Sequence, residues 1–221
     1  FRELCVQLHA LFYEGDQQIV FFSPIPDTSG YFLMQAVRQQ SALALQYLLR
    51  RGGDPNAFGH YPYDNFKQSI TLLGKAAQGN SAYIVELLLD AGATVDRLAF
   101  GEPPMHRGPL RTPLGLASEN GNVSIAQVLI DSRADVNVKD ELEGTPLHYA
   151  AGQGNLAMVQ LLVKNGANRN ARDHLNRFPW RVAQEKLQDP KWERKQGSKE
   201  AAWKLRQMVI EAAGGPRQPP F

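Results

Sequence analysis

Residues 144–173 read GTPLHYAAGQGNLAMVQLLVKNGANRNARD, and their spacing decides the fold. Thr145 offers a hydroxyl to cap a helix, and Pro146 suits the first helical position, where no backbone donor is needed. Leu147, Ala150 and Ala151 form a narrow apolar face that lets a neighbouring helix come close. Gly154 can turn the chain, Val159, Leu161 and Leu162 give a second helix its apolar face, and Gly166 closes that helix in a left-handed conformation. The unit is a helix, a tight turn, a helix and an extended segment.

The same pattern recurs upstream in TPLGLASENGNVSIAQVLIDSRADVN, in TLLGKAAQGNSAYIVELLLDAGATVD and, more faintly, in YFLMQAVRQQSALALQYLLRRGGDPN. The leucine that follows the cap is Leu147, Leu114, Leu73 or Leu33, and the terminal dipeptides Gly166-Ala167, Gly92-Ala93 and Gly52-Gly53 keep a fixed distance from it. With TPLH at Thr145 to His148 and TPLG at Thr112 to Gly115, the chain resembles the ankyrin repeat family, whose period is about 33. The resemblance implies an all-α solenoid of helix-turn-helix repeats joined by hairpin fingers. It also implies a structural role for His148, whose imidazole in that family hydrogen-bonds backbone between repeats. Arg133 departs from the pattern by standing where glycine closes the other units, at a cost of about 1 kcal/mol if the left-handed conformation is kept.

The repeats are expected over 29–183, with NRFPWRVA beginning a degenerate fifth unit. Solenoids need polar end units. A helical N-terminal cap over 1–28, apolar at Leu4, Leu8, Leu11 and Phe12, and a helical C-terminal cap over 184–213 fill these places, followed by a flexible tail over 214–221.

Composition narrows the function. The chain of 221 residues, 43% hydrophobic and 21% charged, is ordinary for a globular protein. No apolar run approaches the roughly 18 residues of a membrane span. The single cysteine, Cys5, excludes an intrachain disulfide and every multi-cysteine zinc motif, which suits a reducing compartment, cytoplasmic or nuclear. HExxH, P-loop, GxGxxG and GxSxG patterns are absent, so no metal or cofactor is expected. From Lys164 to Arg217 there are thirteen Lys+Arg against six Asp+Glu, leaving eleven against sixteen elsewhere. Because both signs interleave in DPKWERKQGSKE, this excess reads as a solvated helical face, and nucleic acid is an unlikely partner.

The period breaks in two places. From Leu114 to Leu147 is the standard 33 residues, but from Leu73 to Leu114 is 41 and from Leu33 to Leu73 is 40. Insertions at equivalent places project from the same face of a solenoid. The extended loops, 58–70 and 97–111, carry His60, Tyr61, Tyr63, Lys67, Phe100, Met105, His106, Arg107 and Arg111, residue types enriched in binding hot spots and active sites.

The family resemblance implies a protein-binding module. Tyr61, Tyr63, Lys67, Phe100, Met105 and Arg111 are its expected contacts, with Arg107 beside them and Arg38, Lys75, Glu119 and Gln153 lining the groove. The alternative is an enzyme with a small-molecule substrate held between the loops. There His60 or His106 would act as general base while Arg107, Arg111 or Lys67 stabilised an enolate, as in a Dieckmann or Claisen-type cyclisation of a polyketide-like thioester.

Overall fold

The computed structural model describes residues 28–59, 70–98, 110–186 and 207–216. Most of the expected N-terminal cap, and residues 187–206 of the C-terminal one, lie outside them. Five inner helices stack in one layer: α1 (Thr28–Arg38), α3 (Leu72–Gln78), α5 (Pro113–Asn120), α7 (Pro146–Gln153) and α9 (Pro179–Lys186). Among the described residues, α2 (Ala42–Arg50), α4 (Ala82–Asp90), α6 (Val123–Asp131) and α8 (Leu156–Lys164) stack in a second, outer layer. The architecture is the all-α ankyrin solenoid that the repeats imply.

Small side chains set the inner spacing. Ala36, Ala76, Ala77, Ala117, Ala150, Ala151 and Ala183 are buried between successive inner helices, and Leu33, Leu73, Leu114 and Leu147 reach from them into one continuous core. Between α7 and α9 the approach is closer still, since a Cβ on Gly152 would lie 3.1 Å from Val182 Cγ1 and 3.2 Å from Lys186 Cδ. Outer helices contribute Leu45 and Leu48, Val85 and Leu88, Ala126 and Leu129, and Val159 and Leu162 to the same core.

Helix ends follow the sequence closely. Thr71 Oγ1 accepts from Gly74 N–H at 2.9 Å and Thr112 Oγ1 from Gly115 N–H at 3.2 Å, whereas the Thr145 hydroxyl lies 2.9 Å from His148 Nδ1. Outer helices close through left-handed residues: Gly52, Gly92, Arg133 and Gly166 have φ of +87°, +93°, +68° and +89°. Arg133 thus keeps the left-handed turn without glycine.

The same closure appears once more near the C-terminus. Residues 207–212 are helical, Gly214 has φ of +95°, and Gly215 N–H donates to Ile210 O at 2.8 Å, as Ala167 N–H donates to Leu162 O at 3.0 Å. Val209, Ile210 and Ala213 are buried in the common core. This segment therefore ends as the outer helices do, within the stretch expected from sequence to form the C-terminal cap and tail.

Candidate functional site

The described bases of the two lengthened fingers are tied to each other. β1 (Phe58–Gly59) and β2 (Ile70–Thr71) pair antiparallel, Phe58 opposite Thr71 and Gly59 opposite Ile70, so a short ladder closes the base of the first. At the base of the second, Arg97 Nη1 reaches back to Asn56 O at 3.2 Å, while Leu110 N–H reaches forward to Glu141 Oε2 at 3.2 Å.

Arg111 ends the second long finger and joins a cluster at the edge of the concave face. Its Nη1 lies 2.6 Å from Glu119 Oε2, its Nε 3.9 Å from Asp140 Oδ2, and its guanidinium carbon 4.4 Å from the centre of the Tyr149 ring. The Tyr149 hydroxyl donates to Asp140 Oδ2. Burial, reinforced by that hydrogen bond and opposed by Arg111, holds the Tyr149 phenol well above its ordinary pKa, so it remains a donor at neutral pH. Gly144 makes room, because a Cβ there would come within 2.8 Å of the Tyr149 hydroxyl. The crevice among Arg111, Thr112, Asp140, Gly144 and Tyr149 is too small to hold a water molecule, so this cluster shapes the face rather than enclosing a ligand.

The pattern returns two repeats later. Arg177 stands where Arg111 stands, pairing with Glu185 at 3.2 Å as Arg111 does with Glu119, and also with Asp173 of its own finger at 2.7 Å. Burial acts to raise the Asp173 carboxyl, but hydrogen bonds from the Arg177 side chain and backbone outweigh it and leave the pKa below its ordinary value. Tyr149, Asp140, Asp173 and Arg177 escaped the sequence-based site. The signal that could have found them is the 33-residue interval separating the two aspartates.

His148 is a joint between repeats. Nδ1 accepts from Thr145 N–H at 3.2 Å, which places the proton on Nε2, and Nε2 donates to Arg177 O at 3.0 Å. Burial pushes the imidazole pKa below its ordinary value, against the opposing effect of the Arg177 carbonyl and the nearby Asp173 charge.

Of the residues singled out from sequence, His60, Tyr61, Tyr63, Lys67, Phe100, Met105, His106 and Arg107 lie outside the described residues. Arg38, Lys75, Arg111 and Glu119 are half-buried on the inner layer, and Gln153 is exposed at the end of α7. Among the described residues no group of His, Cys, Asp and Glu could hold a metal ion, and no helix is long and apolar enough to cross a membrane.

A family model described as ankyrin repeats (3 copies) matches residues 33–140 and 76–173, and the chain belongs to the ankyrin repeat family. It is also 28% identical over 116 residues to the palmitoyltransferase Hip14 of Drosophila melanogaster; the match covers 52% of this chain and 16% of that protein.

Proposed function

We propose that the protein recognises a protein partner through the long fingers at 58–70 and 97–111 and the concave face beside them. Ankyrin repeats are in general protein-interaction modules, and this chain carries them over most of its length. The observation that supports a shared surface is the Arg97 to Asn56 O hydrogen bond, which ties the bases of the two long fingers together. Tyr61, Tyr63, Phe100 and Met105 are the apolar anchors of this surface, with Lys67, Arg107 and Arg111 as its cationic contacts. Large aromatic and arginine side chains dominate binding energy when they are enclosed by a partner.

The test is affinity capture from a native extract, followed by measurement with the purified partner. Shortening residues 60–69 or 99–109 to a tight turn should each weaken binding at least about tenfold, or ~1.4 kcal/mol. Phe100→Ala, His106→Ala and Arg107→Ala should weaken it too, while unfolding free energy changes by less than about 0.5 kcal/mol. Partner affinity that survives loss of both loops would move recognition elsewhere on the molecule.

A further inference from the structure

The two fingers of standard length carry a second surface. We propose that their tips, residues 139–143 and 172–176, form a recognition edge for an extended polypeptide segment with an apolar side chain between a basic and an acidic residue. The proposal rests on the protein-binding reading but uses residues outside both long loops.

Leu142 and Leu175 occupy the same place in successive fingers, and they are 40% and 58% exposed, outside the common core. They are held there by the backbone beneath them. Asp140 Oδ1 accepts from Leu142 N–H at 2.9 Å and from Gly144 N–H at 2.8 Å. Asp173 Oδ1 accepts from Leu175 N–H at 3.0 Å and from Arg177 N–H at 2.9 Å. The tips are also joined to each other, since Leu142 O accepts from His174 N–H at 2.9 Å and Arg172 O from Lys139 Nζ at 3.3 Å. Two leucines fixed in water on a backbone that is already ordered lower the entropy cost of docking.

Charge identifies the occupant. The first of these fingers carries Asp135, Asp140, Glu141 and Glu143 against Lys139 alone; the second carries Arg169, Arg172 and Arg177 against Asp173 alone. Lys139 pairs with Glu143 at 3.1 Å and Asp173 is buried against Arg177, so the exposed charge left at the tips is Glu141 on one finger, which also accepts from Leu110 N–H, and Arg172 on the next, which also donates to Asn176 Oδ1 at 2.8 Å. Neighbouring repeats lie about 10 Å apart, a gap that roughly three residues of extended chain cross at ~3.3 Å each. A segment with Lys or Arg over the first finger, Leu, Ile or Phe between the leucines, and Asp or Glu about three residues on satisfies both fields at once. Two short tips fall well below the roughly 20 residues a side of a standard interface, which favours a short segment over a second copy of this chain.

The test is selection of random 12-residue peptides displayed on phage against the intact chain at low salt, counter-selected on Leu142→Asp/Leu175→Asp. Enriched peptides should share the basic, apolar, acidic order. They should bind the double variant at least about tenfold more weakly and lose their basic preference on Glu141→Lys. If the aspartate variant fails to fold by circular dichroism, Leu142→Gln/Leu175→Gln takes its place. Enriched peptides without the charge order, or a failure to enrich any, would overturn the proposal. Peptides that depend on Phe100 or Tyr61 instead would overturn it too while leaving the wider protein-binding reading intact. A dimer in sedimentation that the leucine variants dissociate would replace the segment by a second copy.

Discussion

The joint between the second and third repeats and the joint between the fourth and fifth use different chemistry at the same positions. In the latter, His148 bridges to Arg177 O, and between the third and fourth Asn137 Nδ2 donates to Gly166 O at 3.1 Å while its Oδ1 accepts from Asn168 N–H at 2.7 Å. Between the second and third, Asp96 replaces that asparagine, accepts from Asp135 N–H at 3.1 Å and as a carboxylate has no proton for the Arg133 carbonyl. Gly74 stands where His148 stands, and Arg133 holds the left-handed turn that Gly166 closes elsewhere. Arg111, at the end of the finger between these two repeats, instead bridges the third repeat to the fourth through Glu119, Asp140 and Tyr149. The joint that lacks the repeat's regular fasteners is the one beside the long 97–111 finger. Because repeat arrays are stabilised mainly between nearest neighbours, such a difference has local consequences.

Breaking the stronger joint should cost most. His148→Ala leaves the Arg177 carbonyl and the Thr145 N–H without their partner, and urea unfolding should show a loss of about 2 kcal/mol. Arg111→Ala should cost about 1–2 kcal/mol through its ion pair, its contact with the Tyr149 ring and the packing of its stem. Hydrogen exchange after Arg111→Ala should rise first around 110–120 and 138–149, and a rise spread evenly over the chain would contradict the bridging role. Mending the weaker joint should have the opposite sign. Asp96→Asn restores a donor for the Arg133 carbonyl and should raise stability by about 1 kcal/mol. Arg133→Gly should add ~0.5–1 kcal/mol by relieving the left-handed strain. A melting temperature unchanged by the pair together would show that the joint is already relaxed.

Much of this contrast was legible in the sequence, and the illegible part has physical causes. Helix order, caps and the turn at Arg133 follow from single-residue preferences at fixed spacing, so they could be read from 144–173 outward. Tyr149 could not, because its role depends on the missing side chain of Gly144 and on an arginine 38 residues away. Arg111 reads as a loop contact because it ends an insertion, while its pairing with Glu119, eight residues on, needed the fold to be seen. The closure at Gly214 was hidden by the long stretch that separates it from α9, which breaks the period. Electrostatic contrast between the fingers at 134–144 and 167–177 was present in the sequence as a net imbalance, but its division between neighbouring tips needed the fold.

The smallest expected effect is also the one that separates the two joints most cleanly. His148 has a lowered pKa, so folding favours its neutral form. Its contribution is full above the unfolded value of 6.5 and declines as pH falls below that, because the unfolded chain then binds a proton that the folded one refuses. Asp96 behaves oppositely: burial raises its carboxyl pKa, the Asp135 backbone hydrogen bond opposes this, and the Asp135 charge adds to it. Its ionised form is therefore disfavoured in the fold, and stability is recovered as pH falls through the folded value, somewhere above 3.8. Asp173 acts the other way: its lowered pKa gives a contribution that is full above the unfolded value of 3.8 and declines as pH falls below that. Between about pH 7.5 and 5, stability should fall with a slope of no more than ~1.4 kcal/mol per pH unit, the limit for one proton. That slope should vanish in His148→Ala and persist in Asp96→Asn, whereas the recovery below pH 5 should vanish in Asp96→Asn alone. Identical pH profiles for the two variants would mean that neither joint titrates independently.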